Sequence, residues 1–282
     1  MSSDFDKRSI GSSVVAFVGG GNMARSLIAA LLRGGADAAS IRVAEPNEVL
    51  RKQLATEFGI AVFGKGAEAA QGADIVMLSV KPQVMRGVCE ELAPVLGARH
   101  PLVISVAAGL RIAQIDGWLG GGYPIVRCMP NTPALIGAGA TGMFANPGVS
   151  AAQRAQAESV LSGSGLTVWI EQEALMDTVT GLSGSGPAYF LLMIEALEDA
   201  AVAQGLPRET ARALAIQTCL GAARLASEDA EAPARLRERV TSPGGTTHAA
   251  LQAFADGGLR ELVATAVRAA TERGREMSAE LG

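Results

Sequence analysis

Val14-Val15-Ala16-Phe17-Val18-Gly19-Gly20-Gly21-Asn22-Met23-Ala24 decides how the first half of the chain folds. A β-branched apolar run leads straight into a G-x-G-x-x-A pattern, and Met23, Leu27 and Leu31 then recur every four residues up to Gly34-Gly35. Strand, glycine turn and helix, in that order, are the context that a dinucleotide fingerprint requires. Gly19 permits the tight turn, Gly21 lets the backbone approach a pyrophosphate, and Ala24 allows close helix packing. Asn22 and Met23 open the helix, whose free N–H groups face the phosphates. An ordinary glycine-rich turn, the competing reading, loses weight because both flanking elements are present.

Working outward, apolar runs recur at Ile41 to Ala44, Ile60 to Phe63, Ile75 to Val80, Leu102 to Val106, Ile125 to Met129, Thr141 to Ala145 and Leu166 to Ile170. Helical patterns lie between them, such as Leu50, Leu54 and Phe58 before Gly59, and glycine is a frequent helix stop. This alternation predicts an α/β domain with a doubly wound parallel sheet. Ligands of such sheets sit at the carboxyl ends of the strands. Glu45 stands at the end of the second strand, where an acidic residue hydrogen-bonds the adenosine ribose and repels a 2′-phosphate, which favours NADH. Asn47, Arg51 and Lys52 lie close enough to offer donors to a phosphate instead, and Glu45 reads equally well as a solvated residue opening the helix at Pro46-Asn47. Later strands end in Val80-Lys81-Pro82-Gln83, Ala107-Ala108-Gly109 and Met129-Pro130-Asn131-Thr132-Pro133. Ala107 and Ala108 leave room for a flat ring, while Asn131 and Thr132 offer donors and acceptors to a carboxamide or substrate. Each alone reads as a turn; together they read as a nicotinamide pocket.

After Ile170 the β-branched runs stop, which places a boundary near Gln172 and divides the chain into 1–172 and an all-helical 173–282. One helix is predicted from Gly186-Pro187 to about Gln204 and another from Arg208 to about Leu225. In the first, Tyr189, Phe190, Leu191, Leu192, Met193, Ile194, Ala196 and Leu197 put apolar residues on every side, so it should be buried all round. A domain of ~110 residues struggles to bury such a helix alone, and an interleaved homo-oligomer supplies the cover. Thr241-Ser242-Pro243-Gly244-Gly245-Thr246-Thr247 then precedes a helix predicted from His248 to about Phe254. Gly244 and Gly245 let the backbone turn, and the hydroxyls of Ser242, Thr246 and Thr247 surround a helix start, which makes an anion cradle suited to one carboxylate. A plain N-cap is the commoner use of such residues. His248 reads as structural, and Ser183 and Ser185 at Gly184-Ser185-Gly186-Pro187 serve equally as site hydroxyls or caps.

Composition narrows the classes. The chain of 282 residues carries 24 basic and 28 acidic residues, a net charge of −4, with 18% charged and 49% hydrophobic residues. That profile disfavours disorder and a nucleic-acid partner. Val14 to Val18 is too short for a secretory or membrane segment. Cys89, Cys128 and Cys219 are scattered, giving neither a disulfide framework nor a zinc site, which fits a reducing cytoplasm. With His100 and His248 alone no multi-histidine metal centre can be built, so no metal is expected and the chemistry must come largely from a cofactor.

On these residues the sequence closely resembles the pyrroline-5-carboxylate reductase family, which catalyses the last step of proline synthesis. The resemblance is carried by Val240 to Leu251, Phe17 to Ala24, Val80 to Gln83, Arg127 to Pro133 and Gly181 to Tyr189, and only the first dozen and last few residues fall outside it. It implies a Rossmann-type N-terminal domain followed by an all-α dimerisation domain, with dimers gathered into larger rings. It also implies hydride transfer from NADPH or NADH to the C=N carbon of 1-pyrroline-5-carboxylate, giving L-proline. A protonated imine accepts hydride readily, so positioning carries most of the catalysis. Carried over by motif, the N–H groups of Gly245 and Thr246 with the Ser242 region hold the substrate carboxylate, and the Thr247 hydroxyl hydrogen-bonds the ring nitrogen. Ala44-Glu45-Pro46-Asn47 departs from the commonest pattern and bears on cofactor choice. Two rivals are a β-hydroxyacid-dehydrogenase-type reductase, which needs a catalytic lysine or aspartate where Ala188, Tyr189 and Phe190 stand, and a nucleotide-sensing module, which would not need the cradle at Ser242 to Thr247.

Overall fold

The computed structural model describes residues 13–280. One sheet holds the strands β1 (Val15–Val18), β2 (Ile41–Ala44), β3 (Ala61–Phe63), β4 (Ile75–Leu78), β5 (Leu102–Ser105), β6 (Ile125–Met129), β7 (Gly139–Ala145) and β8 (Gly165–Trp169). Their order across it is β3-β2-β1-β4-β5-β6-β7-β8. The helices interspersed with them are α1 (Asn22–Arg33), α2 (Glu48–Phe58), α3 (Gly66–Ala70), α4 (Pro82–Leu96), α5 (Ile112–Leu119) and α6 (Ala151–Ser162). The glycine stops behave as the pattern predicts: Gly34 follows α1, and Gly59, in the left-handed region at φ 66°, follows α2.

Alternation along the strands explains why β1 and β4 are apolar throughout. Val15 and Phe17 of β1, with Ile75 and Met77 of β4, join Leu27, Ile28 and Leu31 of α1 in one buried layer. Ala16, Val18, Val76 and Leu78 point the other way, onto Met85, Cys89 and Leu92 of α4 and Ile115 of α5. Covered on both sides, these central strands leave no face for water, whereas at the edge Leu166 and Val168 of β8 are 65% and 47% exposed. Strands β1 to β6 are parallel, but β7 runs antiparallel to β6, and β8 is parallel to β7. The reason is length: the connection over residues 130–138 is shorter than the roughly one dozen residues that a crossover needs.

Past the sheet come α7 (Met176–Val179), a π-helical turn (Thr180–Gly184), α8 (Gly186–Ala203), α9 (Arg208–Glu228), α10 (Pro233–Arg239), α11 (Thr246–Asp256) and α12 (Leu259–Glu280). Residues up to Gly184 and those from Ala270 onward form one compact unit; Ser185–Ala269 form a second. In the first, the end of α12 backs the loop after β5, where a Cβ on Gly109 would lie 3.4 Å from Met277 Cβ. In the second, α8 and α9 pair through Glu198, whose carboxylate accepts from Arg212 and Arg208. Those hydrogen bonds, Arg212's first, hold the Glu198 carboxyl below its usual range. Within one chain α8 is not buried all round: Phe190, Leu191 and Leu192 are 64%, 65% and 65% exposed. The helix expected from His248 begins two residues earlier, at Thr246, because Gly245 is already its N-cap.

Candidate active site

The cofactor-type loops all lie in the first unit. Between β1 and β4 the sheet order reverses direction, and in open α/β sheets the ligand crevice lies outside the carboxyl ends of the strands at that point. Gly19 sits there at φ 101°, its N–H donating to Ala44 O at 2.9 Å, and a Cβ on it would come within 2.6 Å of Ser79 O. Gly21 caps α1 without a side chain, and none of the described residues lies within 4 Å of where its Cβ would be. The first turn of α1 holds no acidic residue, so Asn22 and Met23 open a helix end free to face an anion. Ala24 is fully buried, in keeping with close packing.

Glu45 ends β2, 9% exposed, with each carboxylate oxygen on a backbone donor: Oε2 accepts from Gly20 N at 3.0 Å and Oε1 from Asn47 N at 2.9 Å. Asn47 caps α2, its Oδ1 accepting from Val49 N and Leu50 N. After β4, Val80 is half-buried, Lys81 is the N-cap of α4 and Pro82 its first residue. After β5, Ala107 is buried and Ala108 half-buried. Asn131 follows β6, but both functions of its amide are engaged: Nδ2 donates to Ser183 O at 2.9 Å and Oδ1 accepts from Ala140 N at 2.9 Å. It ties β6 to β7 and to the π-helical turn, in place of the free donor and acceptor that its loop position suggests.

Two features here are given no role by the sequence reading. Ser79, directly after β4 and against Gly19, has a buried hydroxyl oxygen without a partner, one of two such side-chain atoms among the described residues. Arg127, in the middle of β6, is 3% exposed; Nη2 pairs with Asp177 Oδ1 at 3.1 Å and Nη1 with Glu173 Oε1 at 3.4 Å. Glu173 Oε1 also accepts from Ile112 N at 2.7 Å, so the cluster fastens the start of α5, next to the Ala107–Gly109 loop. A lone arginine inside the apolar run Ile125 to Met129 was the available signal. Burial pushes the Cys89 thiol up to about 12 and the Cys128 thiol higher still, which leaves neither a ready nucleophile.

The anion cradle lies in the second unit. Thr241 Oγ1 donates to Arg237 O at 2.6 Å, and Gly244 takes the left-handed region at φ 69°. Gly245 N donates to Ser242 O at 3.0 Å, so this N–H, expected to hold a carboxylate, is spent on the turn itself. The N–H groups of Thr246, Thr247 and His248 at the start of α11 have no backbone acceptor among the described residues, since its first helical bond runs from Ala249 N to Gly245 O. No side chain caps the helix, and the hydroxyls of Ser242, Thr246 and Thr247, all exposed, make no hydrogen bond among the described residues. Apart from those of Thr241 and the Gly245 N–H, the cradle's donors and hydroxyls are therefore uncommitted among the described residues.

The chain matches two family profiles, "Pyrroline-5-carboxylate reductase dimerisation" over residues 173–277 and "NADP oxidoreductase coenzyme F420-dependent" over residues 14–109. A pyrroline-5-carboxylate reductase of Pseudomonas aeruginosa is 50% identical over 268 residues, covering 95% of this chain and 98% of that one. The chain belongs to the pyrroline-5-carboxylate reductase family. Among solved structures, a pyrroline-5-carboxylate reductase of Coxiella burnetii superposes with a TM-score of 0.92 at 43% identity, over 95% of this chain and 99% of that one. The Plasmodium falciparum pyrroline carboxylate reductase, solved with NADP bound, gives 0.83 at 28% identity, over 94% and 98%. A reductase assignment accounts for both the Rossmann-type sheet and the helical second half.

Proposed function

We infer that the protein reduces 1-pyrroline-5-carboxylate to L-proline with NAD(P)H. The observation that carries this is family membership along nearly the whole chain, joined to a glycine loop that fits the cofactor. The fit rests on the open space at Gly21 and on the orphaned hydroxyl of Ser79, the residue packed against Gly19. The nicotinamide, when bound, supplies the hydride. Gly19, Gly21, Asn22 and Met23 cradle the phosphates, Val80, Lys81 and Pro82 border the adjoining ribose, and Ala107 and Ala108 leave room for the ring. Asn131 supports this pocket by holding the loop after β6. The N–H groups of Thr246 and Thr247 take the substrate carboxylate, with Gly244 and Gly245 shaping the turn and Ser242 offering its hydroxyl. The Thr247 hydroxyl hydrogen-bonds the ring nitrogen and orients the imine. Assay of NAD(P)H oxidation with pyrroline-5-carboxylate tests the assignment directly, and no turnover would refute it.

Thr247→Ala should lower kcat/KM by roughly 1–3 kcal/mol of transition-state stabilisation, the scale of a hydrogen bond left unmade. Because Thr247 caps nothing, thermal stability and cofactor affinity should hardly move. A destabilised but fully active variant would show that the hydroxyl serves the fold.

The second unit matches a dimerisation domain, and the apolar side chains of α8 need cover. A homodimer, assembled into a larger ring, supplies it, since burying each Leu or Phe contributes ~1.5–3 kcal/mol. Light scattering should find no stable monomer at micromolar concentration. An active monomer would end this reading. Among the described residues no helix is long and apolar enough to cross a membrane, and three free cysteines suit a reducing compartment, so the cytoplasm is the proposed location.

A further inference from the structure

The loop that joins β5 to α5, residues 106–111, is held by groups outside itself. At its near end Val106 N donates to Leu78 O at 3.2 Å, and Gly109 takes the left-handed region at φ 74°. At its far end α5 opens, and the first N–H groups of a helix have no acceptor within it. Gln114, from the same helix, takes Arg111 N at 2.7 Å. The next N–H, of the buried Ile112, goes to a carboxylate 61 residues away, Glu173 Oε1 at 2.7 Å. No acidic residue stands in the first turn of α5, so Glu173 also supplies the negative charge that a helix N-terminus favours.

Glu173 is itself fixed in place. It begins a 3₁₀ turn after β8 (Glu173–Leu175) and pairs with Arg127 Nη1 at 3.4 Å, while Arg127 Nη2 pairs with Asp177 Oδ1 at 3.1 Å. Asp177 packs against the end of α12, where a Cβ on Gly274 would stand 3.7 Å from Asp177 Cβ. Three residues on, Met277 shares that face of α12 and backs Gly109, whose added Cβ would meet Met277 Cβ at 3.4 Å and Ser278 N at 3.6 Å. A circuit therefore runs from the loop through Ile112, Glu173, Arg127, Asp177 and α12 back to Gly109. Compensating the buried arginine needs only the two carboxylates. What the bond to Ile112 adds is a fixed place for the far end of the loop, and Ala107 and Ala108 lie between its anchors. Hydride transfer is sensitive to such placement, since a shift of ~1 Å in the reacting geometry can cost about a hundredfold.

We propose that Glu173 is a positioning residue for hydride transfer, its bond to Ile112 N setting where the Ala107–Gly109 loop meets the nicotinamide ring. This rests on the reading that the loop borders the ring. Wild type, Glu173→Ala, Glu173→Asp and Glu173→Gln are compared as full-length enzyme, by thermal melts at one protein concentration, steady-state kinetics with pyrroline-5-carboxylate and fluorescence titration with NAD(P)H. The adenosine half of the cofactor, 2′,5′-ADP or ADP, serves as the competitor that lacks the ring. Glu173→Ala should lower kcat by about tenfold to a hundredfold, with KM for the imine within about threefold of wild type. Its affinity for NAD(P)H should fall about threefold or more while that for the adenosine half stays unchanged. The primary isotope effect with 4-deuterated cofactor should hold or rise, because the lost rate lies in hydride transfer. Glu173→Gln, whose amide oxygen can still accept from Ile112 N, should recover kcat to within about threefold of wild type, whereas Glu173→Asp, one methylene shorter and still charged, should not. If the alanine variant does not fold, this pair carries the test. A lower melting temperature with kcat unchanged would make Glu173 a structural residue and overturn the proposal. So would equal losses of kcat in the glutamine and aspartate variants, or an isotope effect that falls toward one. A wild type that does not turn over pyrroline-5-carboxylate would refute the proposed reaction instead; the loop's role would then be read from binding alone, and equal losses for NAD(P)H and its adenosine half in Glu173→Ala would overturn it.

Discussion

Gly21→Val is expected to fold normally and to lose its cofactor. The position caps α1 at φ −67°, a conformation open to any residue, and none of the described residues lies within 4 Å of the added Cβ, so the cost to the fold is about 1 kcal/mol or less, for a poor N-cap. The same open space is what a pyrophosphate needs in order to reach the N–H groups at the start of α1. Hydrogen bonds to a charged group are worth ~1.5–3 kcal/mol each, so losing two implies ~3–6 kcal/mol, or roughly 10²–10⁴-fold in Kd. Fluorescence titration with NADPH beside a thermal melt reads both quantities, and unchanged affinity would mean that the turn does not bind phosphate. Its neighbours should behave differently. A side chain on Gly19 is driven into Ser79 O, and one on Gly20 into Leu54 Cδ1 at 2.5 Å, so substitutions there damage the fold first.

Arg127→Ala should be the most destabilising single change in the ion cluster. It leaves the carboxylates of Asp177 and Glu173, 8% and 24% exposed, without the cation that compensates them. Breaking a buried pair from one side costs ~3–5 kcal/mol, because the remaining charge is still desolvated. Urea unfolding at one fixed protein concentration measures the loss, the fixed concentration being needed for an oligomer. Arg127→Met combined with Asp177→Leu should recover much of it, since apolar replacement removes the unpaired charge. A loss below about 1 kcal/mol for Arg127→Ala would show that the cluster does not hold the start of α5.

What the sequence made legible was local. Strand, glycine turn and helix at Val14 to Leu31 form one contiguous pattern, legible without knowing that Gly19 closes on Ala44 and Ser79 and Gly20 on Glu45. The direction of β7 was hidden because it depends on the length of a connection that the apolar runs do not reveal. Asn131 was read as a free amide because its partners, Ser183 and Ala140, lie 52 and 9 residues away. Arg127 finds its carboxylates 46 and 50 residues on, and nothing local in the apolar run around it points to them. At Gly245 the loop composition was read correctly as a turn, but which N–H the turn consumes depends on backbone angles that composition leaves open.

The first unit is discontinuous along the chain, and that has a consequence for its biosynthesis. Its sheet is complete by Trp169, yet the residues that pack beneath Gly109 and beside Asp177, Met277 and Gly274, belong to a segment translated after every residue of the helical unit. Domains tend to fold in the order in which they emerge from the ribosome. Here the domain that starts first finishes late: its Ala107–Gly109 loop lacks the backing of Met277 until the segment from Ala270 has been translated.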